Sequence, residues 1–128
     1  MKAGCFITGY SIIIGMEKED INKGYTECFN WEKGRQIKSE SRLVHLSTHR
    51  AIEMAQVNLR SIEKARIGIV LGTSFGGLES YEEFFRSIHA NNTQPNAFSN
   101  SLANIPAAII SIFYGITGPS ITLSGGSL

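Results

Sequence analysis

Three short runs in this chain are apolar or β-branched, do not alternate with polar residues, and stop at a glycine. They are Cys5-Phe6-Ile7-Thr8 before Gly9, Ile67-Gly68-Ile69-Val70-Leu71 before Gly72, and Ser120 to Ser124 before Gly125. Runs of this kind predict buried strands of a parallel sheet covered on both faces. Between them the period lengthens. From Ser41, the positions Leu43, Val44, Leu46, Ile52, Ala55 and Leu59 fall mostly at helical spacing. The stretch GGLESYEEFFRSIHA puts Leu78, Tyr81, Phe84, Phe85 and Ile88 on one stripe. Glu79, Glu82 and Glu83 fall outside it, in the early turns that the helix dipole favours for acids. In NIPAAIISIFYGI, Asn104 is a candidate cap, Pro106 suits a first turn and Gly115 a C-terminal stop. That helix is apolar nearly all round, which calls for burial on more than one side. Residues Glu17 to Glu40 are polar and weakly periodic, and hold the sole tryptophan, Trp31. They read as a short helix followed by a long surface connection.

Strands alternating with helices predict an α/β fold with parallel pairing. The length of 128 residues sets a single domain, 1–128, and the chain shows neither internal repeats nor low-complexity tracts. Hydrophobic residues at 42% and charged residues at 18% describe an ordinary globular chain. A net charge of +1 with scattered basic residues gives no reason to expect nucleic acid or an anionic membrane surface as partner. Cys5 and Cys28 form no paired motif, so reduced thiols in a cytoplasmic protein are expected. The apolar N-terminal stretch is interrupted by Gly4, Thr8, Gly9 and Ser11 and reads as a strand and turn, not a signal peptide. No window reaches membrane-spanning length.

Three stretches carry candidate chemistry. His45 and His49, four apart, would share one helix face as metal ligands do. No acid lies between them as in H-E-x-x-H and no third ligand is evident, so partly exposed surface histidines are the plainer reading. The turn LGTSFGGLES follows a strand and opens a helix, where phosphate loops sit. It lacks both the G-K-[ST] ending and the G-x-G-x-x-G spacing, and Glu79 would repel a phosphate. No cofactor-binding fingerprint and no metal site are therefore expected. The third stretch is Gly125-Gly126-Ser127. It resembles the start of a nucleophile elbow, yet a serine needs a positioned base and none is identifiable.

Taken together, FITGYSIII, RIGIVLGTSFGGLESYEEFF and SNSLANIPAAIISIFYGITGPSITLSGGSL resemble the N-terminal part of a β-ketoacyl-[acyl-carrier-protein] synthase, a condensing enzyme of the thiolase superfamily. The likeness is loose before Ser41 and close after Arg66, and YGITGPSITLS is its most specific match. It implies a partial thiolase-like half, a mainly parallel sheet flanked by helices. In the family, a cysteine just after the G-P-S-x-T-x strand accepts an acyl group from carrier protein and joins it to a malonyl-derived unit. Here Ser127 holds the cysteine position, and Gly125 stands where Thr or Ser is usual. A serine hydroxyl stays protonated where a thiol is readily ionised. The family's further catalytic histidine, asparagine and lysine positions lie in a second half that these residues do not reach, and His45, His49 and His89 match none of them. Phe75 falls at the residue that gates the acyl pocket, with a core aromatic covering the turn as the competing reading.

The resemblance thus implies a synthase-like module of fatty acid or polyketide chain elongation, not competent alone. Its expected partners are acyl carrier protein or a synthase-like companion chain, as a homo- or hetero-oligomer. A non-catalytic partner subunit is the first alternative. A serine acyltransferase or hydrolase using Ser127 and a base supplied in trans is the second. Apolar surface on the helix at Asn104–Tyr114 and on the third strand predicts association with itself or a partner, since a few hundred Å² left bare forgoes about 5–10 kcal/mol.

Overall fold

The computed structural model describes residues 4–31, 34 and 36–125. Within them the chain runs α1 (Lys18–Cys28), α2 (Ser39–Ala55), β1 (Ile69–Thr73), α3 (Leu78–His89), α4 (Pro95–Ser101), α5 (Ile105–Tyr114) and β2 (Ser120–Ser124). Two 3-10 turns, Leu59–Ser61 and Lys64–Arg66, link α2 to β1. The strands pair in parallel, from Ile69 opposite Ser120 to Thr73 opposite Ser124, and three helices make the crossover. This is the expected α/β arrangement, a parallel sheet flanked by helices.

The segments leading into β1 and β2 are bonded to each other, which sets the register. Ile69 N–H donates to the Pro119 carbonyl at 2.9 Å and Thr117 N–H to the Lys64 carbonyl at 3.2 Å. Between them Gly118 lies so close that a Cβ would sit 2.2 Å from the Ile67 carbonyl oxygen. The glycine of the G-P-S sequence is therefore demanded by backbone approach, not by an unusual φ.

Helix α5 starts with Pro106 in its first turn and ends at Gly115, whose φ of 67° supplies the left-handed stop. Asn104 precedes it but its side chain makes no capping bond. The inner face of α5 meets α2 and the sheet, and Ala107, Ile109 and Ile110 are buried. The core comprises Tyr25, Phe29, Ile37, Leu46 and Ile109, bordered by Ile13, Trp31, Ile105 and Phe113.

Four features depart from the sequence reading. Cys5–Thr8 forms no strand, because no ladder partner lies beside it. The segment leads instead onto α2, where a Cβ on Gly9 would meet the Ala51 carbonyl oxygen at 2.3 Å. The region Glu17–Glu40 is more than a surface connection. Ile21, Tyr25 and Phe29 recur every four residues, and α1 buries them against α2. A short helix, α4, occupies the polar stretch after Gln94. Pro95 fits its first turn and Ala97 is buried. Finally, the strands are covered on one face only by the described residues, leaving the neighbours Val70 and Ile121, with Leu123, exposed.

Candidate functional site

Both turns singled out in the sequence leave the same edge of the sheet. Parallel pairing sends β1 and β2 out at their carboxyl ends side by side, the usual place for a ligand in an open α/β sheet. Past Thr73 the chain makes the turn Ser74–Gly77 into α3. Past Ser124 it reaches Gly125, whose N–H donates to the Thr73 carbonyl at 3.3 Å. Nothing in the sequence signals this tie, since a backbone bond leaves no residue signature. Gly76 packs within 2.9 Å (from its would-be Cβ) of the Thr73 side chain, so the first turn folds back over its own strand.

Phe75 stands in that turn with 73% of its surface exposed. It is not a core aromatic among the described residues, so that reading is corrected: the ring projects from the turn at the strand ends. Ser127, the candidate nucleophile, lies outside the described residues, as does Gly126. The structure brings Gly125 to Thr73 and places Phe75 two residues beyond Thr73.

The phosphate-loop reading meets a further obstacle in the start of α3. Gly77 adopts φ 81° and presses against α4, where a Cβ would be 2.2 Å from the Ser101 carbonyl oxygen. Its N–H donates to Glu40 Oε2 at 3.1 Å. A carboxylate from α2 thus already occupies an amide that a phosphate would need.

The histidine pair also differs from expectation. His45 is fully buried, not a surface residue. Its Nδ1 lies 2.9 Å from the Tyr25 hydroxyl, and its ring stacks on Phe29 at 4.2 Å with Phe113 edge-on at 4.5 Å. Its Nε2 is buried without a partner among the described residues. Loss of water around this ring, with a smaller contribution from His49, lowers its pKa to about 4. His49 instead has Nδ1 3.1 Å from the Tyr114 hydroxyl and Nε2 3.4 Å from Glu53. Burial, and then the Glu53 charge, push Tyr114 up to about 12. Burial likewise raises Tyr25, against the pull of the Arg42 guanidinium 5.4 Å from its ring centre. Each histidine is therefore held by a tyrosine, and no three His, Cys, Asp or Glu side chains among the described residues gather as a metal site. The sequence signal for Tyr25 was its place in the Ile21, Tyr25, Phe29 series.

No single helix among the described residues is long and apolar enough to cross a membrane. Helices α4 and α5, apolar when taken together, meet at 94°.

The parallel strand pair, its helical crossover and the glycine turns at the strand ends match the α/β arrangement expected from the sequence. The family model described as beta-ketoacyl synthase, N-terminal domain, matches residues 14–126, and the chain belongs to that family. Among solved structures it is similar to AntDE:AntF, described as a type II PKS acyl-carrier protein in complex with its ketosynthase bound to the hexaketide. The TM-score is 0.65 at 20% identity, over 73% of this chain. The chain spans only 28% of that one. A search of curated protein sequences finds no match.

Proposed function

We propose that residues 1–128 form one β-ketoacyl synthase-like N-terminal module serving acyl-chain elongation in the cytoplasm, in fatty acid or polyketide synthesis, without condensing activity of its own. The observation that carries this reading is the Gly125–Thr73 bond at the ends of two parallel strands. It holds the end of β2 beside the end of β1, which opens into the turn bearing Phe75, and a nucleophile following β2 and an acyl-gating residue following β1 would fit that edge. Serine in the nucleophile slot argues against condensation, because a hydroxyl stays protonated near neutrality where a thiol ionises readily. His45 and His49 are engaged with tyrosines, and His89 Nδ1 lies 2.9 Å from the Phe85 carbonyl.

The module's partners on this reading are acyl carrier protein or a synthase-like companion chain. Its exposed apolar side chains on the sheet and on α3 favour a non-catalytic partner subunit over a solitary enzyme. Titration of the chain with acyl carrier protein, and separately with a complete synthase, tests this by fluorescence anisotropy. Saturable binding to either is expected; binding to neither refutes the proposal. Incubation with acyl-carrier protein followed by intact mass measurement tests the serine transferase alternative. An acyl adduct that vanishes in Ser127→Ala would replace the non-catalytic reading with that one.

A further inference from the structure

The connection from α2 to β1 frames a cavity of about 420 Å³, and no strand residue lines it. Its walls are built by local bonds. Helix α2 stops at Gln56, whose φ of 53° turns the chain away. The Asn58 side chain then accepts from the Arg60 N–H at 3.0 Å and starts the 3-10 turn Leu59–Ser61. Lys64 opens the next turn. Its carbonyl accepts from Thr117 N–H at 3.2 Å, just past α5, and its Nζ donates to the Leu59 carbonyl at 2.6 Å. The loop is thus tied to itself and to the end of α5, so the space is formed before any ligand enters.

We propose that this cavity binds a small aromatic carboxylate, with its ring against Phe113 and its anionic group on Arg60 and Lys64. The apolar part of the lining is Ile52, Val57 and Leu59, joined by the Phe113 ring from α5. The charged part is cationic, since Arg60 and Lys64 line the cavity and no acidic side chain among the described residues does. Tyr114 holds its proton to about pH 12, and its hydroxyl is bonded to His49 at 3.1 Å, so that wall adds no negative charge.

Charge selects an anion here and not elsewhere on the surface. Lys38 pairs with Glu83 and Arg86 lies 3.9 Å from Glu82, in a cavity that Glu79 also lines. Among the described residues no side-chain hydrogen bond or ion pair engages the Arg60 guanidinium, and its backbone is held by Asn58. Lys64 has spent one donor of three. A planar guanidinium takes a carboxylate through two parallel bonds, which favours that anion. The apolar walls select against a bare ion, because inorganic phosphate would leave them uncovered. A volume at the small end of about 300–1,000 Å³ suits a ligand of one or two rings. The inference is independent of the elongation reading, because it uses neither Ser127, Phe75 nor carrier protein.

Calorimetric titration of the full chain with 2-naphthoate tests it. Saturable binding with a dissociation constant of about 0.1–1 mM is expected. The neutral analogue 2-naphthalenemethanol should bind at least about tenfold more weakly, as should 2-naphthoate to the Arg60→Ala, Lys64→Gln double variant. Val57→Trp, which fills the cavity, should abolish binding, while Arg86→Ala on α3 should leave it unchanged. In carbon–proton correlation spectra the Ile52 and Val57 methyl signals should shift with the ligand and those of Leu123 should not. Absence of saturation, equal affinity for the neutral analogue, displacement by equimolar inorganic phosphate, or a folded double variant that binds as the parent does overturns the proposal.

Discussion

The buried His45 ring sets a stability that depends on acid in a predictable way. In the unfolded chain the ring takes a proton near its ordinary pKa of 6.5, but in the fold only near 4. The unfolded state therefore binds more protons throughout that window. The contribution is present in full above about pH 6.5 and is lost as pH falls toward 4. Each pH unit of the gap between those two values is worth about 1.36 kcal/mol, so the loss reaches about 2.5 kcal/mol by roughly pH 4.5. Stacking on Phe29 offsets a little of the charging cost. Among the described residues the titratable groups facing the ring are Tyr25 from α1, His49 from α2 and Tyr114 from α5, with Glu53 reached only through His49. None is a carboxylate in contact with it. The control is the pair Tyr25→Phe with His45→Phe, which removes both polar partners and leaves rings of similar shape. Urea unfolding is followed by circular dichroism and by fluorescence of Trp31, whose ring lies edge-on 6.2 Å from His45. The parent should lose about 2.5 kcal/mol more than the double-Phe protein between roughly pH 7 and 4.5, since the other titrating groups cancel. Equal losses in the two proteins would show that His45 does not titrate out of a dry site.

Other outcomes can be measured with the same material. Gly77→Ala should destabilise by about 2–4 kcal/mol, because it combines a φ of 81° with a Cβ driven onto the Ser101 carbonyl; a melting temperature unchanged from the parent would contradict the α3–α4 packing. Leu46→Ala, at a fully buried core position, should cost about 2–5 kcal/mol. Ile112→Ala, on the exposed side of α5, should change stability by only about 0.5 kcal/mol in the separated chain. Ser127→Cys should gain an acyl adduct from an acyl thioester in intact mass spectra where the parent gains none, since a thiol ionises near neutrality and a hydroxyl does not. No adduct on the cysteine variant would remove that position from the nucleophile slot.

Much of the architecture was legible as periodicity. The runs ending at Gly72 and Gly125 became β1 and β2, and the stripes from Ser41, Leu78 and Ile105 became α2, α3 and α5. What local pattern could not carry was the identity of the partner across each face. Cys5–Thr8 has strand-like residues, but a strand exists only through a neighbour's hydrogen bonds; these residues are exposed, and the chain first meets α2 at Gly9. The α3 stripe was visible; that Ser80 and Ser87 would face inward was not, because close helix approach rewards small side chains over apolar ones. Helix α4 is rich in Asn and Ser, poor helix formers, and is held by contact with α3. At the candidate site, the two turns could be named from glycine and strand endings. Their juxtaposition depended on the register of β1 with β2, which the contact of Gly118 with the Ile67 carbonyl establishes from the opposite end of the sheet.

The two-stranded sheet has a consequence for how this protein behaves in a tube. Among the described residues each strand has one neighbour, so the outer side of β1 and of β2 has no ladder partner among them. Such margins accept extended peptide from any source, including a partly melted sister molecule. Gentle warming should therefore produce ordered, dye-binding fibrils before amorphous precipitate, and a lysine introduced at Val70 or Ile121 should delay them without touching the helices.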